Sequence, residues 1–584
     1  MRSMRFKEST NPCTAFFREF LNAIFRTKTS THEYTKLDKV LDMFDVTMLG
    51  VGTTIGMGSY IFIGYYAKEI GPAVVISHLL AALVSFMNAL CYAEFVSREP
   101  GSGGAYSQAY YLLGEFLAAI IGWLLAGENV FGSALSARGL SEVIDMCAGN
   151  RISDYLKSYV TFSNPFLADY PDVPAVLIEL IILTIVSFGL KEVTFLNNFI
   201  VAINVSVLIL IVLVSGSNIE FSNWTLPPKE GCGNGGFMPY GVSSIWNGVN
   251  KVFYAYIGFD AAGHAGSEVT DPERTIPTSL LLSVMVVTVL YLFQTFTHTL
   301  LWPYCDQDIS APIQHTMSGI GMEIMKWITT VGCPIGLIGN LVCSTYPLTR
   351  LLFAIAEDGL LYSYFGYLNI HTKTPIMALY ISGFATALFA LLFDKFRLAE
   401  VSCLGAMGTY CLIAIAVLTL RYTEEDMEYG NTKRPFHRII FNMEPSADRP
   451  TVISSLIVLI CGTVIFVTAF PAQLIFLFGS EGLKNGDKLT VFILFLIIGF
   501  YIFIMSIIIN QPSSPARLGL QVFLPSCFKP ILPVLCILVN AQICILYSLE
   551  SWIILFMWMS IGTFIYFTYG IWNSKAREKD LLQK

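Results

Sequence analysis

Two stretches of this chain combine glycine, hydroxyl and aromatic residues at a spacing that would leave peptide groups bare. The first is Gly50-Val51-Gly52-Thr53-Thr54-Ile55-Gly56-Met57-Gly58, with four glycines in nine residues. Each glycine costs a helix up to ~1 kcal/mol relative to alanine. The second is Phe253-Tyr254-Ala255-Tyr256-Ile257-Gly258-Phe259-Asp260-Ala261-Ala262-Gly263-His264-Ala265-Gly266. In lipid, a broken helix survives only where its freed polar groups meet protein or a polar cavity. Amide N–H groups at the start of a half-helix attract a carboxylate, which singles out Thr53, Thr54, Ile55, Gly56, Met57 and Gly58. Freed carbonyls around Tyr254, Ala255, Tyr256 and Gly258 attract an ammonium group. A zwitterionic amino acid supplies both, and holding it needs no covalent chemistry. A glycine contact between tightly packed helices is the plainer reading of either stretch alone; the pair favours a site.

Four acids lie in apolar surroundings, where an ionised side chain costs ~2.5 kcal/mol or more on insertion scales. Glu128, in Gly122-Trp123-Leu124-Leu125-Ala126-Gly127-Glu128, has no base at i±3 or i±4. It reads as a counter-charge or proton-responsive group beside the substrate. Asp260 follows the second glycine break directly, either in the site or capping freed N–H groups. Glu94 either pairs with Arg98 one turn on or acts in transport. Glu268, with Asp271, Glu273 and Arg274 nearby, reads as an interfacial charge or gate. Arg138 and Lys251 approach helix ends and are expected to snorkel. His264 reads as a packed polar residue.

Apolar helices must carry these groups. The chain has 584 residues, 54% hydrophobic and 13% charged, against roughly 25% charged in soluble domains. It is therefore a polytopic membrane protein. Windows near the length a helix needs to cross fall at 43–66, 72–96, 114–144, 173–190, 194–216, 240–266, 277–301, 328–354, 376–393, 398–420, 452–470, 489–510, 531–549 and 551–572. With fourteen spans, the side carrying both termini holds 24 Lys and Arg, counting Arg350 at the inner end of its span, and the other holds nine, so the termini are expected to be cytoplasmic. Residues 15–26 alternate at helical spacing, as an amphipathic helix lying on the membrane does. No cleavable signal peptide is visible. Asn223-Trp224-Thr225 falls in an outer loop and is a candidate glycosylation sequon; Asn204-Val205-Ser206 lies within a span. Broken helices one and six, each opening a five-span set, are the mark of an inverted-repeat carrier with a midplane site. The expected fold is thus an all-α polytopic membrane protein, a 5+5 inverted-repeat transporter core with four further C-terminal helices. Its divisions fall at 1–42, 43–216, 217–420, 421–451, 452–572 and 573–584.

On these residues the chain resembles a known family. Gly52-Thr53-Thr54-Ile55-Gly56-Met57-Gly58 resembles the first-helix motif of the amino acid–polyamine–organocation superfamily. Cys91-Tyr92-Ala93-Glu94-Phe95 with Gly103-Gly104-Ala105-Tyr106 is similar to the second-helix motif of its cationic amino acid transporters. Further matches are Phe253 to Asp260, Ala356-Glu357-Asp358-Gly359-Leu360-Leu361, Lys373-Thr374-Pro375, and Gly562 to Gly570 in the last span. The resemblance covers roughly 35–575 and implies alternating access, with Phe259 closing as an aromatic gate and Glu94 needed for transport. Bacterial relatives carry Glu where Glu128 stands, and animal ones a small polar residue. Twelve-span relatives bind a heavy chain through a Cys after span three. Cys147 lies near there in a poorly matching segment, so no obligate heavy-chain partner is expected.

Departures mark a divergent member. In Leu196-Asn197-Asn198-Phe199, Asn198 stands where the family commonly has Lys. In the wider superfamily that ammonium replaces a sodium ion beside the first break. His264 and Ala265 replace a Thr pair, and Ser267 replaces an acid. The expected function is uptake of cationic amino acids at the plasma membrane, driven by membrane potential. A neutral or broad-range carrier, proton-linked through Glu128, and a low-turnover amino acid sensor are the alternatives. No GxSxG, HExxH or nucleophile–base set points to an enzyme. No CxxC or His/Cys cluster points to a metal, and no cofactor or nucleic-acid partner is expected. A disulfide among Cys147, Cys232, Cys305 and Cys333 has no support from spacing.

Overall fold

Helix is the only regular structure among the described residues, apart from one isolated parallel bridge between Leu41 and Val269. The structure, a computed structural model, describes residues 20, 23–24, 26–28, 39–97, 103–164, 166–423, 449–484, 487–513 and 528–577. Most of the amphipathic segment at 15–26, most of the loop at 421–451, and Arg98 lie outside them.

The first apolar segment is three helices, α1 (Met43–Thr54), α2 (Met57–Tyr60) and α3 (Phe62–Ile70). A reciprocal capping box starts α1. The Asp45 amide donates to Asp42 Oδ1 at 2.9 Å, and the Asp42 amide to Asp45 Oδ2 at 3.1 Å; such a box satisfies two orphan donors at once. Then come α4 (Val74–Val96), α5 (Ala105–Leu112), α6 (Glu115–Cys147), α7 (Arg151–Tyr159), α8 (Val173–Val186) and α9 (Leu190–Ser215). The sixth segment is α10 (Val242–Phe253) followed by 3-10 turns at Tyr254–Tyr256 and Phe259–Ala265. Beyond it lie α11 (Pro272–Leu301), α12 (Pro312–Gly319), α13 (Glu323–Glu357), α14 (Ile376–Leu392), α15 (Lys395–Leu420), α16 (Val452–Lys484), α17 (Lys488–Ile509), α18 (Phe528–Ile545) and α19 (Leu549–Ile565). Nine helices among the described residues are long and apolar enough to cross a membrane.

The chain forms two compact units. The larger comprises 23–89, 96–406 and 547–584; the smaller includes 90–95 and 407–546. In the larger unit α6 and α13 run side by side, with 33 and 35 residues. At 1.5 Å per residue each is roughly 50 Å long, well beyond the hydrocarbon thickness. Small residues let α13 approach its neighbours. A Cβ on Gly336 would lie 2.8 Å from Asn204 Oδ1 of α9, and one on Gly332 2.7 Å from Val207. In the smaller unit α16 packs on α17 and α18.

The larger unit also joins the two ends of the chain. Glu115, at the start of α6, accepts from Arg26 at 3.2 Å, Ser574 at 2.6 Å, Tyr110 at 3.0 Å and Tyr566 at 3.2 Å. Asp358, just past α13, accepts from Lys28 at 2.6 Å and Tyr106 at 3.1 Å, and its carbonyl from the Lys575 amide at 3.0 Å. Burial holds the Asp358 carboxyl above the usual carboxylate range, with the Lys28 ammonium pulling the other way. A disulfide joins Cys232 to Cys305 across 73 residues. Sequence spacing had given no support for it, because a Cα–Cα distance of 5.7 Å is created by two loops meeting.

Two expectations change, those for Arg138 and Asn223, while Lys251 keeps a partly exposed ammonium. Arg138 is buried, donating to the carbonyls of Ala390 at 3.1 Å and Phe393 at 2.6 Å. It caps the C-terminal end of α14, where cations are favoured, so it does not snorkel. Lys251 pairs with Glu69 at 2.8 Å. Asn223 is buried, and its Nδ2, the atom a glycan would occupy, donates to the Leu300 carbonyl at 2.7 Å. The folded chain does not offer this sequon for glycosylation.

Candidate functional site

Both glycine stretches interrupt their helices. Ile55 is extended (φ −81°, ψ 104°), Gly56 sits at φ −152°, ψ −128°, and α2 begins at Met57. In the sixth segment Ile257 is extended and Gly258 has φ 114°, a conformation that favours glycine. The two breaks interlock. A Cβ on Gly58 would lie 2.5 Å from Ala255 Cβ, and one on Gly258 2.8 Å from the Thr53 carbonyl oxygen.

A helix leaves its last four carbonyls without internal partners, and each of those closing α1 has an acceptor role. The Ile55 amide donates to Val51 O at 2.9 Å. Asn340 Nδ2 of α13 donates to Gly52 O at 3.2 Å and Thr53 O at 2.5 Å. The Tyr291 hydroxyl of α11 donates to Thr54 O at 3.1 Å. Ser136 Oγ of α6 holds Asn340 Oδ1 at 2.6 Å. On the far side of the break, Ser59 takes the Gly56 carbonyl, and Gln294 donates to Ser59 O at 2.8 Å. The Met57 and Gly58 amides donate to none of the described residues. At the sixth break the Tyr254 carbonyl accepts from Ile257 at 3.2 Å, while the carbonyls of Ala255 and Tyr256 accept from none of the described residues.

Glu128 and Asp260 are both buried, with their carboxyl groups facing each other. Glu268 receives Arg350 Nη2 on Oε1 at 2.9 Å, and Arg350 Nε and the Tyr346 hydroxyl on Oε2. Its backbone carbonyl takes the amides of Val40 and Leu41 at 2.9 Å each. Glu268 thus ties the segment before α1 to the end of the sixth helix and to α13.

Other expected residues lie elsewhere. Asn198 donates to Asp45 Oδ1 at 2.6 Å, in the first turn of α1, more than two turns from the break it was expected to adjoin. One residue earlier, Asn197 accepts from Cys343 at 2.6 Å beside Gly52, and Asn204 accepts from Tyr60 at 2.6 Å. Glu94, in the smaller unit, pairs with Arg421, whose Nε donates to Oε1 at 3.0 Å. That partner is 327 residues away, while Arg98, the partner expected one turn on, lies outside the described residues. Phe259 is fully buried on the C-terminal side of the sixth break. Across the two broken segments the Tyr254 ring lies 5.7 Å from that of Phe62, itself stacked on Phe396 at 5.6 Å.

Sequence reasoning missed Asn340, Ser136, Tyr291 and Gln294. Polar residues inside apolar windows were the signal, but nothing local says which break each one serves. It also missed His78, whose ring packs against Tyr66, Tyr256 and Tyr291 with centroids 5.9–6.2 Å apart.

Two interlocked helix breaks, buried in a bundle of apolar helices and flanked by paired acids, define a membrane transporter of small solutes and not an enzyme. The amino acid permease family model matches residues 41–501, and the C-terminus of the same permeases matches 527–574. The chain belongs to the amino acid permease family. It is 28% identical to mouse "Cationic amino acid transporter 4", over 98% of this chain and 93% of the relative. It is 30% identical to "Cationic amino acid transporter 3, mitochondrial" of Arabidopsis thaliana, over 93% and 92%. The "Cationic amino acid transporter 4, vacuolar" of the same plant is 28% identical, over 92% of each.

Proposed function

We propose that this permease carries cationic amino acids such as arginine, lysine and ornithine by alternating access. The observation that supports this most is the contact of Glu128 with Asp260, which provides an acidic subsite for a side-chain guanidinium or ammonium. The substrate carboxylate lies on the free amides of Met57 and Gly58, at the positive end of α2. Its α-ammonium lies on the carbonyls of Ala255 and Tyr256. An inside-negative potential contributes about 2.3 kcal/mol per charge per 100 mV, enough to drive uptake of a cation with no coupled ion. The relatives' names agree with this substrate class.

The core is a 5+5 inverted repeat, 43–216 and 217–420, followed by a loop at 421–451 and four helices over 452–572. Nine long helices, three shorter apolar ones and the two broken segments make up its fourteen spans. The termini are cytoplasmic and the membrane is the plasma membrane. The Cys232–Cys305 disulfide supports a loop side that faces an oxidising compartment. No heavy chain is needed. A second reading, proton-linked transport of neutral amino acids, draws on the proximity of Glu128 to Asp260, a buried pair of acids that a pH gradient would load with a proton.

Radiolabelled uptake into proteoliposomes at clamped voltage separates the two. Arginine is expected to enter and to respond to voltage, and Glu128→Gln to lose arginine uptake by roughly tenfold or more while keeping leucine binding. Wild-type protein that takes up leucine on a pH gradient and ignores arginine would favour the second reading. Binding without counterflow would identify a sensor.

A further inference from the structure

The two sides of the first break are finished differently. Its amide side, at Met57 and Gly58, is open, whereas every carbonyl ending α1 already accepts a hydrogen bond. In carriers built on discontinuous helices, unwound carbonyls and half-helix C-terminal ends coordinate the coupling cation. Here Asn340 supplies both donors to Gly52 O and Thr53 O. Its amide cannot be turned round, because Oδ1 would then face two carbonyl oxygens and abandon the Ser136 hydroxyl. Its close approach also depends on Gly56, where a Cβ would lie 2.9 Å from Asn340 Cγ.

We propose that Asn340 is a fixed substitute for a coupling cation: its amide protons occupy the carbonyls at which a monovalent ion would bind, so translocation needs none. Asn340 acts here as a positioning residue. It holds the end of α1 in the broken geometry in which the facing amides receive substrate. The inference rests on the breaks being the substrate site, and it assigns the cause of ion independence to one side chain.

Asn340→Asp removes both donors and leaves a carboxylate beside two carbonyls, an oxygen set suited to a small cation. The test compares wild type, Asn340→Asp and Asn340→Ala in sodium chloride and in choline chloride, in alkaline buffer. Arginine uptake is the first readout and melting temperature the second. Wild type is expected to give the same values in both salts. Asn340→Asp should lose about tenfold or more of its uptake in choline and recover it in sodium, with its melting temperature rising with sodium concentration. Asn340→Ala should be impaired equally in both. Sodium dependence of the wild type overturns the inference. So does Asn340→Asp uptake that is equal in the two salts, or an Asn340→Asp melting temperature indifferent to sodium. The melting readout does not depend on the transported solute, so a wild type that transports no amino acid refutes the functional reading and leaves this test standing.

Discussion

At Gly58 the side chain is absent because the other break lies where it would be. A methyl group would come within 2.5 Å of Ala255 Cβ and 2.8 Å of its Cα, and backbone does not yield as a flexible side chain does. Overpacking of this kind costs about 1–3 kcal/mol. Gly58→Ala is therefore expected to lower the melting temperature and to cut uptake by more than the loss of folded protein accounts for. Gly499→Ala, mid-helix where the new methyl has nothing within 4 Å, should leave uptake unchanged and hold or slightly raise the melting temperature. The glycine stretches were legible in the sequence because glycine weakens a helix wherever it stands. Asn340 was not. Its role depends on the register of α13 against α1, and the residues it joins are 288 and 287 positions apart. Asn198 misled for the same reason: a family position was matched, but this chain's Asn198 meets Asp45, and Asn197 and Asn204 face the core instead.

Among elements, the pairing of α4 with the end of α15 in the smaller unit rests on Glu94 and Arg421, both buried. Removing one partner of a buried pair leaves an uncompensated charge, at about 3–5 kcal/mol. Arg421→Ala should destabilise the protein by about that much, seen as a lower melting temperature in detergent. Glu94→Gln combined with Arg421→Gln should recover most of it; a double variant as unstable as the single one would refute the pairing. Helix existence was readable from apolar length, and every expected span corresponds to a helix or a broken helix. Helix ends were less readable. The apolar window stops where polar residues begin, yet α6 and α13 continue to Cys147 and Glu357 because tertiary partners satisfy their polar ends.

For the molecule as a whole, the Cys232–Cys305 disulfide pins the loop following α9 to the loop following α11. Cys232→Ser is expected to lower stability by about 2–4 kcal/mol. It should also expose Cys305 to a membrane-impermeant maleimide added on the face opposite the termini. Labelling from the terminal face alone would reverse the topology.

The grip of Glu115 on Arg26 and Ser574 has a further consequence for how the molecule is made. Arg26 is made 89 residues before Glu115, and Ser574 459 residues after it. Until the chain is made through Lys575, the carboxylate at the foot of α6 lacks Ser574, and Asp358 lacks the Lys575 amide. A chain stopped before Ser574 would reach quality control with Glu115 short of one donor and the Asp358 carbonyl without the Lys575 amide.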